Sequence, residues 1–258
     1  MSSQVYVGID AGSRATKIIA VDSEGQVLRR GMIDQSVRPA ESAKRLFDET
    51  LDGLTVEQCV ATGYARNFLS FAHRAVTEIT CHAKGCIAEF PDAGAIIEIG
   101  GQDSKYIFLD HGRVHDFAMN DRCAAGTGRF LEVVAMRLGV SLTELEATLR
   151  DAPHDAAVAI SSMCVVFAET EIIGLLASGS SASVIMRGVQ SAVAARVVAM
   201  MGDRKKISGR IVFTGGVAQV YGMAATFEKV LAHTLVIPKH PQYTGAFGAA
   251  LLAMETKK

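Results

Sequence analysis

Charge imbalance is missing from this chain: 26 Lys and Arg face 27 Asp and Glu across 258 residues, a net charge of -1. A surface without excess positive charge argues against nucleic acid or an anionic membrane as the main partner. No apolar stretch reaches the ~20 residues that span a bilayer. The start, Met1-Ser2-Ser3-Gln4 before Val5-Tyr6-Val7, is too short and uncharged for a signal peptide, which predicts a cytoplasmic protein. The five cysteines are odd in number and contain no Cys-x-x-Cys. In the reducing compartment so predicted, a disulfide framework is not expected, and any working cysteine acts as a thiolate ligand or redox group. No linker or low-complexity tract divides the chain. Its 49% hydrophobic and 21% charged residues are ordinary for a globular protein able to bury a large core.

What is present is a repeated turn. Gly8-Ile9-Asp10-Ala11-Gly12-Ser13 and, about ninety residues on, Ile97-Glu98-Ile99-Gly100-Gly101-Gln102-Asp103-Ser104 each join two apolar runs. A hairpin reads this way when its backbone must come close to something bulky and anionic. Two such turns suggest two halves of a duplicated fold closing on one polyphosphate. The first half reads as strands Gln4–Asp10, Thr16–Asp22 and Val27–Ile33, helix Ala40–Leu51 opened by Pro39, strand Gln58–Thr62, then helical segments to about Phe90. The second half repeats the meander with Ala93–Ile99, Ser104–Asp110 and Arg113–Ala118. Helices follow at Arg129–Leu138 and Leu142–Leu149, the latter with a Ser141/Glu144 capping box. An insertion around Ser161–Ala177 precedes helix Ser183–Met201, strand Arg210–Thr214, helix Ala218–Ala232, strand Leu235–Ile237 and helix Thr244–Glu255. The pattern predicts lobe I from residues 1–92, completed by a C-terminal helix at about 240–258, and lobe II from residues 93–239.

Phosphate oxygens need backbone N–H donors and a cation or metal to offset their charge. Gly12 and Ser13 can donate at the first turn, and Gly100 and Gly101 at the second. Lys17 can reach a β- or γ-phosphate, and Asp10 can hold Mg²⁺ through water. Gln102 and Asp103 can orient or deprotonate the attacking water. A third glycine pair, in Thr214-Gly215-Gly216-Val217-Ala218-Gln219, turns from strand to helix and suits an adenosine or α-phosphate.

Cys123, in Asn120-Asp121-Arg122-Cys123-Ala124-Ala125-Gly126-Thr127-Gly128, and Cys164, in Ser161-Ser162-Met163-Cys164-Val165-Val166-Phe167, each stand just before a helix. A helix dipole stabilises a thiolate there, and an anionic iron–sulfur cluster as well. Two thiolates cannot complete a four-cysteine shell, but a two-fold dimer supplies the same two again. The alternative is two buried or idle cysteines, which the spacing does not reject. Cys81 and Cys86 lie five apart, about 140° apart on a helix and poorly placed to chelate. Cys59 reads as core.

At these residues the chain resembles the ATP-dependent activators of 2-hydroxyacyl-CoA dehydratases, related to the ATPase subunits of benzoyl-CoA reductases. The likeness covers nearly the whole chain. It is carried by Gly8–Ser13 with Lys17, Glu78–His82, Ile97–Lys105, Met119–Phe130, Cys164–Glu169, Thr214–Val217 and Thr244–Ala249. It implies an α/β architecture: the duplicated ribonuclease H-like fold of actin, hexokinase and the heat-shock chaperone ATPases, two lobes around a nucleotide cleft. It further implies ATP/ADP with Mg²⁺, and a homodimer holding one [4Fe-4S] cluster on Cys123 and Cys164 of each subunit. ATP hydrolysis would then drive a low-potential electron to an acyl-CoA dehydratase or benzoyl-CoA reductase-type component, with reduced ferredoxin or flavodoxin as donor. Glu98 stands where the family commonly has Asp, and Arg14 where a small residue or Thr is common; Asp10 and Asp103 are therefore preferred to Glu98 for metal-water contacts. The competing readings are a small-molecule, sugar-type kinase of the same fold and a nucleotide-sensing protein without turnover. The cysteine pair would go unexplained in the kinase.

Overall fold

Two apolar strands, Gln4–Ala11 (β1) and Ala15–Val21 (β2), form an antiparallel hairpin buried on both faces. Burial on both faces requires cover on both sides, which is why neither run alternates polar with apolar. In the computed structural model, residues 4–150, 157–161, 164–202 and 207–255 are described. Two units divide the chain: Met1–Gly94 with Leu109–Asp116 and Pro238–Lys258, and Ala95–Phe108 with Phe117–Ile237.

In the first unit, β1 and β2 are followed by the edge strand Val27–Asp34 (β3), helix Pro39–Thr50 (α1), strand Thr55–Thr62 (β4), the two-residue strand Arg74–Ala75 (β5) and helix Glu78–Glu89 (α2). The sheet order is β3-β2-β1-β4-β5, with β4 parallel to β1. Pro39 sits at the start of α1, as its fixed φ and missing N–H predict. The second unit repeats the plan. Its elements are Ala93–Ile99 (β6), Ser104–Asp110 (β7) and Arg113–Asn120 (β8), apart from the ends of these strands that fall within Met1–Gly94 and Leu109–Asp116, then helices Gly128–Arg137 (α3), Leu145–Arg150 (α4), Val165–Ala177 (α5) and Ala182–Met201 (α6), strand Arg210–Thr214 (β9), helix Met223–Leu231 (α7) and strand Leu235–Val236 (β10). The sheet order β10-β9-β6-β7-β8 again sets a three-strand meander beside a later strand. The last helix, Thr244–Glu255 (α8), returns to the first unit.

Four segments differ from the sequence expectation. Residues after Gly63 form a 3-10 turn at Arg66–Phe68 and then β5, because the sheet edge recruits them: Val76 N–H donates to Ala61 O and His73 N–H to Cys59 O. The Ser141 capping box does not form. Ser141 Oγ accepts from Thr143 N–H, a local turn that delays α4 to Leu145. The expected insertion contains α5, while residues 162–163 lie outside the described ones. Strand β9 runs into a 3-10 turn at Gly216–Gln219, and α7 begins only after Gly222 turns left-handed. Helix α6, 20 residues long, is apolar enough to count as a candidate membrane span, although no apolar sequence stretch was expected to qualify. Eleven of those residues are buried, and its Ile185, Val189, Val193 and Val197 belong to the second unit's core, which accounts for the apolar character.

Helix α8 is held by backbone contact. A Cβ on Gly8 would lie 2.0 Å from Ala246 O, and one on Gly248 would lie 1.8 Å from Cys81 O. Replacing a helical Gly by Ala gains roughly 1 kcal/mol of propensity. At Gly248 that gain is outweighed, because the clash is with backbone that no rotamer change relieves; overpacking of this kind costs ~1–3 kcal/mol. Gly248→Ala is therefore expected to lower the melting temperature by several degrees. An unchanged or raised melting temperature would contradict this packing.

Candidate functional site

The first phosphate turn is built around a carboxylate in a glycine cradle. Asp10, the last but one residue of β1, is buried and faces Lys17 across the hairpin in register. Lys17 Nζ lies 3.5 Å from Asp10 Oδ2. A Cβ added to Gly63 would stand 2.5 Å from Asp10 Oδ1, one on Gly245 3.5 Å from Oδ2, and one on Gly12 3.7 Å from Oδ1 and 3.5 Å from Lys17 Nζ. Three absent side chains thus leave room beside the carboxylate. The N–H groups of Gly12 and Ser13 have no acceptor among the described residues. Gln35 Nε2 donates to Gly12 O at 2.6 Å and fixes the turn from behind. His82, a buried residue of α2, adds to the wall: a Cβ on Gly245 would be 3.0 Å from its Nε2. This arrangement fits a magnesium–phosphate group: one anionic oxygen donor, one ammonium and two outward amides.

The second turn repeats the register and changes the chemistry. Glu98 faces Lys105 across β6 and β7, as Asp10 faces Lys17. Lys105 is 2% exposed, and its Nζ donates to Glu98 Oε2 at 2.8 Å and Asp103 Oδ2 at 2.6 Å. The ammonium is thus clamped between two carboxylates. Gly100 N–H donates to Asp103 O, closing the turn, so this proposed phosphate donor is already engaged. Gly101 N–H has no acceptor among the described residues, and Gln102 is exposed. The carbonyls of Gly100 and Gly101 accept from Gly128 and Arg129 N–H, which ties the turn to the start of α3.

Gly215 follows β9 at φ +88°, and a Cβ there would fall 2.3 Å from Ile99 O and 2.8 Å from Glu98 Oε1. Gly63 follows β4 at φ +91° in the same relation to Ala11 O and Asp10. Gly216 borders open space and Gln219 is exposed. Because α7 starts later, no helix N-terminus stands at this glycine pair, and any ligand there meets the 3-10 turn instead.

The cysteines split into two groups, and none forms a disulfide. Cys59, Cys81 and Cys86 are buried, and burial pushes the Cys59 and Cys81 thiols up to about 12. Cys59 and Cys81 therefore remain protonated near neutral pH and are poor ligands. Cys123 and Cys164 are exposed. Cys164 caps the N-terminus of α5. Cys123 caps a three-residue 3-10 turn, with α3 five residues further on, so its backbone is set by a side chain instead: Asn120 Oδ1 accepts from Cys123 N–H and its Nδ2 donates to Cys123 O. Arg137 Nη2 donates to Glu169 Oε2 at 2.9 Å, joining α3 to α5. That bond holds the Glu169 carboxyl below its ordinary range.

Sequence reasoning missed Gly63, Gly245, His82, Lys105 and Asn120 as site residues. The matching Thr62-Gly63 and Thr214-Gly215 pairs at equivalent strand ends carried a signal for Gly63, and the other four lie within the segments that carry the family resemblance without having been given a role.

A doubled sheet with glycine turns at matching strand ends defines the two-lobe α/β class of actin-like and hexokinase-type ATPases. A ROK family glucokinase from Streptomyces griseus shares the fold, with a TM-score of 0.64 at 13% identity over 97% of this chain and 99% of that one. The chain belongs to the BadF/BadG/BcrA/BcrD ATPase family, which it matches over residues 7–253. It is 41% identical to the activator of lactoyl-CoA dehydratase from Anaerotignum propionicum, covering 96% of this chain and 97% of that one. Component A of (R)-2-hydroxyglutaryl-CoA dehydratase from Acidaminococcus fermentans superposes with a TM-score of 0.90 at 36% identity, over 98% and 99% of the two chains. The activator of 2-hydroxyisocaproyl-CoA dehydratase from Clostridium difficile, solved with bound ADPNP, gives 0.89 at 34% identity over 98% and 95%.

The two lysines predict different costs. Lys105→Met leaves two carboxylates without their shared cation, a loss of about 3–5 kcal/mol for a buried pair. Lys17→Met, at a longer and more solvated contact, is expected to cost well under half of that. Urea unfolding of both variants checks the ranking; equal midpoints would refute it.

Proposed function

We propose that this protein is an ATP-hydrolysing, iron–sulfur activator that delivers a low-potential electron to a partner acyl-CoA dehydratase or benzoyl-CoA reductase-type component. The split among the cysteines carries this reading: two exposed thiols, one before a 3-10 turn and one at the start of α5, and three sealed in the core. A kinase has no use for that division. The two exposed thiols fit a cluster shared between copies. Among the described residues no three His, Cys, Asp or Glu side chains gather as a metal cage, so a four-thiolate shell needs a second chain. Helix α5 supports the same homodimer. It buries Ala168 and Ile172 but exposes Val166, Phe167, Ile173 and Leu176, beside Cys164. When bound, the [4Fe-4S] cluster supplies a one-electron carrier, with reduced ferredoxin or flavodoxin as the proposed donor.

For ATP, the amides of Gly12, Ser13 and Gly101 receive phosphate oxygens, and Lys17 offsets their charge. Asp10 would hold the Mg²⁺ that offsets phosphate charge. Gln102 orients the attacking water, and Asp103 takes up its proton on Oδ1, since Oδ2 is engaged by Lys105. The new bond forms at the γ-phosphorus, the bond to the β-phosphate bridging oxygen breaks, and ADP and phosphate leave. Gly215, Gly216 and Gln219 take the adenosine end.

Asp10→Asn is expected to lose ATP hydrolysis by about 100-fold or more while keeping its fold, because the charge that positions Mg²⁺ is removed. Wild-type turnover in that variant would dispose of the assignment. Anaerobically purified protein is expected to be brown and dimeric, with about two iron atoms per chain. Cys123→Ser and Cys164→Ser each remove two of four ligands per dimer and are expected to abolish the visible absorbance, whereas Cys59→Ser leaves it intact. A brown double variant lacking both exposed cysteines would exclude this ligand set.

A further inference from the structure

A cavity of about 570 Å³ opens at the edge of the first unit's sheet, between β3 and the segment that leads into α8. It contains no residue of the phosphate turns. Arg29, Arg30, Lys239 and His240 line it, together with Tyr243 and Phe247. Among the described residues, Arg29, Arg30 and Lys239 have no carboxylate partner, although cations elsewhere pair readily, as in Arg38–Glu41, Lys44–Asp48, Arg129–Glu132 and Arg150–Glu146. Arg30 Nη1 instead donates to His240 Nε2, a neutral acceptor. Burial, then the charges of Arg30 and Lys239, hold His240 below its ordinary range, so the imidazole stays neutral and accepts that bond. Glu89 is the one carboxylate in the lining, and burial pushes its pKa above the ordinary carboxylate value.

Arg30 and Lys239, without a carboxylate partner among the described residues, line one concavity, and folding does not account for them, since their mutual repulsion is unfavourable. We propose that this cavity is a second anion site, for a small phosphorylated molecule carrying an apolar or aromatic body. Arg30 and Lys239 meet the phosphate, and Tyr243 and Phe247 flank the body. The volume lies within the ~300–1,000 Å³ of small-molecule sites. This site does not depend on the ATP reading.

The test is calorimetric titration of the full-length protein with phenyl phosphate, and separately with inorganic phosphate, in phosphate-free buffer. Wild type is expected to bind phenyl phosphate more tightly than inorganic phosphate. Arg30→Ala/Lys239→Ala is expected to weaken both by at least about tenfold, the loss of one charge-assisted hydrogen bond. Tyr243→Ala is expected to weaken phenyl phosphate alone. These side chains are exposed or half-buried, and an unchanged melting temperature separates lost binding from lost fold. Lys17→Ala serves as the control and is expected to leave phenyl phosphate binding unchanged. The proposal is overturned by no wild-type binding up to about 10 mM, by full binding in the double variant, or by loss of binding in Lys17→Ala, which would place the ligand at the phosphate turn.

Discussion

The site rests on one backbone constraint, met twice: a glycine with positive φ, directly after a strand, presses against the carbonyl that ends the neighbouring strand. Gly63 does this to Ala11, and Gly215 to Ile99, and a Cβ at either would stand within 3 Å of that carbonyl. An L-residue would both strain the backbone and force the strand ends apart. Close approach in turn aims the acidic side chain of the neighbouring strand, Asp10 or Glu98, past the vacated Cβ position. The buried threonines that precede each glycine, Thr62 and Thr214, hold the same place in both units. Duplication is therefore visible in geometry even where the sequence has diverged.

Divergence then sets the chemistry. In both units a lysine faces the strand-end acid across an antiparallel pair. At the first turn the pair is loose, and the ammonium keeps a face toward the space beside Gly12. At the second, an additional carboxylate two residues before the lysine captures it fully. A cation bonded to two carboxylates in a dry site has its charge already offset, which leaves it a weak partner for a phosphate. The same local plan thus yields one lysine able to receive charge and another that holds Asp103 in place.

The meanders, their hairpin turns and α8 were legible because near-continuous apolar runs bounded by glycine have few alternative folds. The segment from Tyr64 to Val76 was not, since its extended path is imposed by the unpaired edge of β4 and not by its own pattern. Ser141 had the residues of a capping box but used its hydroxyl one residue early. At the site, Asp10, Lys17 and the glycines around them could be read from spacing. Spacing around Asp10 did not reach Gly63 and Gly245, which approach it from elements distant in sequence, or His82, which stands beside Gly245. Cys123 was found through its glycine loop, yet Asn120, which fixes it, looked like one more loop residue.

Net charge describes the whole chain and not each of its faces. A balance of -1 argues against a basic face only if the charges are mixed locally. On helices they are, because residues three and four apart are neighbours: Arg38 with Glu41, Lys44 with Asp48, Arg150 with Glu146. On an edge strand adjacent side chains point to opposite faces, and β3 provides Arg29 and Arg30 with no acid at the corresponding spacing. When the chain preceding α8 brings Lys239 and His240 to the same edge, positive charge accumulates there with no ion-pair partner for Arg30 or Lys239 among the described residues. The imbalance is local, arises from strand geometry, and leaves His240 as the only side-chain acceptor that the described residues give Arg30.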